Sequence, residues 1–116
     1  MLSADKRRLR LIEGCCREII LQVQRNDECF DRFAENETSR RIVFEQLCSI
    51  SDLSCGLSPQ AIGQLEENGF RAGYLHSLRF WTIEAQEGGE RYWRVAWEIA
   101  SHDCMPLLLL CIRLRE

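Results

Sequence analysis

The residues of this 116-residue chain best suited to chemistry are Arg71 and His76, set in Arg71-Ala72-Gly73-Tyr74-Leu75-His76 with mostly small or apolar residues between them. Histidine, with an unperturbed pKa of about 6.5, gives or takes a proton near neutral pH. Arginine keeps its charge and forks onto phosphate oxygens. The pair is a minimal kit for RNA cleavage, in which one group moves a proton and the other neutralises charge developing at phosphorus. Five positions along a helix turn through about 500° and rise about 7.5 Å, and the two side chains are expected to share one pocket. An arginine and a histidine five apart also arise by chance, so a blander reading stands beside this one. In it, both merely satisfy hydrogen bonds in a helical interaction domain.

The elements that must position this pair belong to a single domain, residues 1–116, long enough for one core. Fifteen basic and eighteen acidic residues leave a net charge of −3, so no overall positive field draws in nucleic acid, and any RNA contact must be local. The longest apolar run, Met105 to Ile112, falls well short of the roughly 20 residues of a membrane span, and no membrane association is expected. Asp5, Lys6, Arg7, Arg8 and Arg10 interrupt the N-terminal segment where a signal peptide needs an apolar core, so a cytoplasmic location is expected. The basic cluster reads as a solvated face. Seven cysteines, Cys15, Cys16, Cys29, Cys48, Cys55, Cys104 and Cys111, show no Cys-x2-Cys pair and no regular spacing from either histidine. Neither zinc nor any other cofactor is called for, and the cysteines, Cys48 and Cys55 included, are expected to fill the core.

Periodicity predicts an all-α fold, an antiparallel bundle of four to five helices. Leu9, Ile12, Cys16, Ile19, Ile20 and Val23 recur at helical spacing over residues 4–25. A short turn follows, anchored by inward Phe30 and Phe33. A second long helix, capped by Asn36 or Thr38, runs to about Cys55 with Ile42, Val43, Leu47, Ile50 and Leu53 inward and ends at Gly56. Ser58-Pro59 opens a short helix over 60–67, broken at Asn68-Gly69. A helix from Phe70 to about Trp81 carries Arg71 and His76. Residues 82–91 are expected as a polar connection turning at Gly88-Gly89. Beyond it, a helix over 90–101 is favoured over a hairpin pairing 80–83 with 92–97. The last helix starts at Met105-Pro106 and reaches Arg115, and its Leu107 to Ile112 run is expected to be buried all round, in the core or against a second subunit.

The order of segments resembles the HepT-like proteins (domain of unknown function 86) of the HEPN superfamily, small all-α ribonuclease toxins of prokaryotic toxin–antitoxin pairs. The likeness covers nearly the whole chain. Asp5-Lys6-Arg7-Arg8-Leu9 with Ile12 is similar to the family's first helix, and Cys29-Phe30-Asp31-Arg32-Phe33, followed by Arg40 and Arg41, to the approach to its second. Cys48-Ser49-Ile50-Ser51-Asp52-Leu53, ending in Leu57-Ser58-Pro59, resembles the helix that bears an acid before a Leu-Ser step. Arg71 and His76 match the family's Arg-x4-His signature, and Ala96-Trp97-Glu98-Ile99-Ala100 with Asp103 and Pro106 resembles its closing pattern. The resemblance implies a homodimer in which Arg71 and His76 of both copies line one cleft. In that cleft His76 acts as acid/base or orients the ribose 2′-hydroxyl, Arg71 binds the scissile phosphate, and Asp52 holds one of these cations in place. It also implies a cognate antitoxin, possible candidates including a minimal nucleotidyltransferase, and an RNA substrate.

Departures from the family pattern point to a second class. Ala72 stands where a polar residue usually follows the arginine. His76-Ser77-Leu78 replaces a His-x-Tyr whose tyrosine is adenylylated in one branch, and Tyr74, on the other side of the histidine, is expected only as a half-buried aromatic. The alternative is therefore a catalytically silent HEPN dimer that binds RNA, a nucleotide or a nucleotidyltransferase. His102 is expected to close a helix end rather than catalyse, and Trp93 and Trp97 to make core or dimer contacts.

Overall fold

The fold is described from a computed structural model covering residues 1–116. It is all-α, with no strand, which removes the hairpin alternative for residues 80–97. Seven α-helices follow in order: α1 (Ser3–Arg25), α2 (Phe30–Glu35), α3 (Glu37–Cys55), α4 (Pro59–Glu67), α5 (Ala72–Gly88), α6 (Glu90–Glu98) and α7 (Cys104–Arg115). A π-helical turn, Ile99–Asp103, joins α6 to α7 without a break, so Glu90–Arg115 is one 26-residue helix. The count exceeds the four to five expected, one source of the excess being that Phe30 and Phe33 sit on a short helix rather than a turn.

The local signals explain most boundaries. Asn36 is the cap of α3, its Oδ1 accepting the Ser39 N–H at 3.0 Å, and Ser58 caps α4 by accepting from Ala61 N–H with Pro59 at the first helical position. After α4 the chain closes a Schellman motif. Phe70 N–H reaches Leu65 C=O at 3.0 Å and Gly69 N–H reaches Glu66 C=O at 3.1 Å, with Gly69 at φ +94°.

The long helices pack antiparallel around one core of 27 apolar residues. Gln22 meets Ser39 while Asp5 meets Ser58, which sets α1 against α3 head to tail. Cys48 meets Thr82 and Asp52 meets Arg79, which does the same for α3 and α5. Leu9, Ile12, Cys16, Ile19, Val43, Leu47, Ile50, Leu75 and Leu78 are buried in this arrangement, and Phe30, Phe33 and Trp97 form an aromatic corner with Phe33 and Trp97 centroids 5.0 Å apart. Ile42 and Leu53, expected inward, are half-buried at the margin.

Two expectations are corrected. First, α5 begins at Ala72 and continues through Gly88, replacing the polar connection over 82–91, because Thr82 and Ala85 are buried and extend the inward face past Trp81. The reversal is confined to Gly89, whose φ of 78° and ψ of −154° lie in a region essentially restricted to glycine. Second, α7 is not buried all round: Met105 and Leu109 are 46% and 59% exposed, because only one side of the helix faces α1. The unbroken Glu90–Arg115 helix also has a window of mean hydropathy 1.4 and is by length and composition alone long and apolar enough to cross a membrane, but half of that window is buried within the fold, as in a core helix. The sequence reading missed this because it counted the Met105 to Ile112 run alone.

Candidate functional site

Both members of the Arg/His pair are exposed near the start of α5. Arg71 is not on the helix but precedes it as N-cap, with extended φ −73° and ψ 143°. His76 lies in the second turn. Even on a continuous helix, five steps of about 100° overshoot one turn by about 140°, and the cavity lined by Arg71 contains Glu66, Gly73 and Tyr74 but not His76. The cavity that Arg71 lines is therefore not one that His76 shares. The N-cap position has its own electrostatic consequence. The free N–H groups of the first turn carry a partial positive charge, to which Arg71 adds a full one. Glu66 Oε1 accepts the Ala72 N–H at 3.3 Å and offsets part of it.

Asp52 belongs to a different partnership from the one expected. Its two oxygens both accept from Arg79 Nη1 at 2.9 Å, across the α3–α5 seam, and the pair is exposed. The acid holds neither Arg71 nor His76, and no side chain bonds the His76 imidazole. The reason is register: Ser51, one residue earlier on α3, turns inward and donates to the His76 backbone carbonyl at 2.9 Å, which leaves Asp52 pointing along the seam toward the next turn of α5. Arg79 is the residue that sequence reasoning passed over. Its place three positions after His76 was the available signal, since side chains at i and i+3 share a face.

Below this surface lies a cluster of buried polar and sulfur groups. The Tyr74 hydroxyl donates to Asp103 in the π-helical turn, so the half-buried aromatic expected there is tethered by its polar end. Burial, reinforced by that carboxylate, pushes the Tyr74 phenol well above its ordinary value. Burial likewise pushes Cys15 up to about 11 and Cys111 up to about 12. The Cys16 thiol is raised further by its hydrogen bond with Cys104 and by burial. Four cysteines, Cys15, Cys16, Cys104 and Cys111, do fill the core. Cys48 is half-buried, its sulfur meeting the Thr82 hydroxyl, and Cys55 is exposed, which corrects the expectation for that residue. Cys55 is the last residue of α3, on the outward side of the turn whose buried residue is Ser54.

His102 does not close a helix, because the chain continues through the π-helical turn. It is exposed, with Nε2 3.0 Å from Glu98 Oε2 one turn earlier. Trp97 is buried and Trp93 is half-buried, its Nε1–H donating to Ala85 C=O at 2.8 Å. No group of three or more His, Cys, Asp or Glu side chains converges as metal ligands. The chain matches no protein-family model, no curated protein and no solved structure.

Proposed function

We propose that this chain is a metal-independent endoribonuclease of toxin type, a HEPN-like homodimer acting in the cytoplasm and neutralised by a cognate antitoxin, a minimal nucleotidyltransferase being one candidate. The observation that carries the reading is that Arg71 and His76 are both exposed in the first turns of α5, with Arg79 exposed one turn further on, while the cavity lined by Arg71 does not include His76. Groups arranged in this way act together when a second copy brings its own set opposite. The same helix leaves Phe80 and Ile83 56% and 44% exposed on the face that carries His76, an apolar strip for that copy to cover.

The chemistry follows from the side chains. The ribose 2′-oxygen attacks its adjacent phosphorus as His76 takes the hydroxyl proton. Arg71 at the helix N-terminus neutralises the charge gathering on the phosphoryl oxygens. The bond from phosphorus to the 5′-oxygen breaks, and that oxygen is protonated by the second copy's imidazole or by water. The products are a 2′,3′-cyclic phosphate and a 5′-hydroxyl.

A specific observation favours the second reading, a silent dimer that binds RNA, a nucleotide or a nucleotidyltransferase: Asp52 is bonded to Arg79, so the imidazole has no carboxylate to orient it. One experiment separates the two. Purified protein is incubated with varied RNAs in EDTA, and the ends are analysed. Cyclic phosphate ends, lost in His76→Ala and in the monomerising Phe80→Glu, support the nuclease. A folded dimer that binds but leaves every RNA intact replaces it with the silent module.

A further inference from the structure

At the far end of α5 a second site opens, a cavity of about 290 Å³ between the start of α3, the end of α5 and α6, lined by Glu37, Arg40, Arg41, Phe44, Gln86 and Trp93. Its size is near the lower end of the roughly 300–1,000 Å³ typical of small-ligand pockets. Two of its walls are fixed in advance. The Trp93 indole is anchored by its hydrogen bond to Ala85 C=O at 2.8 Å. The Arg40 guanidinium lies 3.9 Å from the Trp93 ring centroid and donates to the carbonyls of Phe33 and Ala34 at the end of α2. Arg40 is thus consumed in building the wall. Arg41 and Gln86, by contrast, are exposed and bonded to nothing in the chain.

We infer that this cavity seats one unpaired base of single-stranded RNA, with Arg41 on the adjoining phosphate. Flat, rigid walls of indole and guanidinium are what unstacked bases pack on, and that packing accepts any base because every base has a π face. Gln86 supplies a donor and an acceptor to the edge of the base. The Glu37 carboxylate repels phosphate but accepts from an exocyclic amino group, so the base rather than the backbone enters deepest. The inference rests on the ribonuclease reading and extends it to a substrate class. Arg79 and Gln86, seven residues apart, share the seam-side stripe of α5, beside the Phe80 and Ile83 strip that the second copy covers, and the seat lies ten residues, about 15 Å along the helix, from His76. That separation suits a single strand lying along the α3–α5 seam, passing Arg79 on the way. A rigid A-form duplex has its bases paired and cannot deliver one into the cavity.

The test uses the full chain carrying His76→Ala, so that RNA is not consumed, and follows binding of a fluorescein-labelled hexanucleotide by anisotropy at several salt concentrations. Arg41→Ala is expected to weaken binding about fivefold and to reduce the slope of log affinity against log salt by about 0.7, the share of one phosphate on a single strand. Arg41→Glu should cost more than tenfold. Trp93→Phe keeps a ring in the wall should Trp93→Ala fail to fold, and exposed Gln86→Ala tests the same cavity without touching the core. Unchanged affinity and slope in folded Arg41→Glu, or equal binding of a duplex of the same length, overturns the inference. The two readings fail separately. With His76 intact, cleavage of a dinucleotide, too short to reach from the imidazole to the cavity, tests the chemistry alone, whereas hexanucleotide cleavage should fall in Arg41→Glu. If the wild type cuts neither substrate yet Arg41-dependent single-strand binding persists, the nuclease reading is lost and the base seat stands.

Discussion

Asp5 is the sharpest point at which to test the energetics that hold the α3–α4 corner against α1. It lies in the first turn of α1 and is only 2% exposed, although its neighbours Lys6, Arg7 and Arg8 make the segment read as a solvated face. Its two oxygens accept from Ser58 N–H at 2.9 Å and from the Ser58 hydroxyl at 2.6 Å, and that hydroxyl in turn caps α4. Hydrogen bonds to a charged acceptor contribute about 1.5–3 kcal/mol each. Asp5→Ala removes both and leaves the Ser58 amide unpaired, a cost of about 3–5 kcal/mol against a total of about 5–15 for a domain. At this length one kcal/mol moves Tm by about 4 °C, so Tm should fall by about 12–20 °C. Asp5→Asn, which keeps volume and one acceptor, should lose about a third of that. Burial raises the carboxyl pKa, but the Ser58 bonds, Arg8 and the N-terminal amine together hold it below its ordinary value of 3.8. Because the folded value is the lower one, the stabilisation is fully present above the unfolded value and is lost as pH falls through the folded value. Thermal unfolding followed by circular dichroism should therefore show a constant gap between wild type and Asp5→Asn near neutrality and a closing gap below about pH 4. A gap that stays constant down to about pH 2 would refute the reasoning, because the carboxylate would then not be the group that matters.

Three further outcomes follow from the packing. Gly89→Ala forces a side chain into the positive-φ turn between α5 and α6 and should destabilise by about 1–3 kcal/mol, read as a lower denaturant midpoint with unchanged slope. Arg79→Ala breaks an exposed pair with Asp52, so stability should change by less than about 1 kcal/mol while RNA binding or cleavage weakens; a large stability loss with unchanged RNA handling would place Arg79 in the scaffold only. A thiol reagent in mildly alkaline buffer should modify exposed Cys55 first. Cys15 and Cys111, raised to about 11 and about 12, should react only after unfolding, because the thiolate is the attacking form; rapid native-state labelling of either would contradict their burial.

What the sequence determined by itself was local. Apolar spacing defined α1 and α3. Asn36, Ser58-Pro59 and Asn68-Gly69 marked helix ends, and Phe30 and Phe33 announced themselves as core. These signals act within one or two turns, where periodicity and capping are decided by near neighbours. Arg71 and His76 were legible as chemistry-bearing types, but their placement was not, because whether Arg71 joins α5 depends on the closure at Gly69 and Phe70. Tertiary structure alone decided the partners: Asp52 with Arg79 across 27 positions, Asp5 with Ser58 across 53, and buried Glu13 with Arg115 across 102. It also decided that α5 runs on to Gly88 and that α6 and α7 join through a π-helical turn. A charged side chain is buried or exposed according to which helix lies opposite, and that choice is made by the packing of the whole core rather than by its neighbours in the chain.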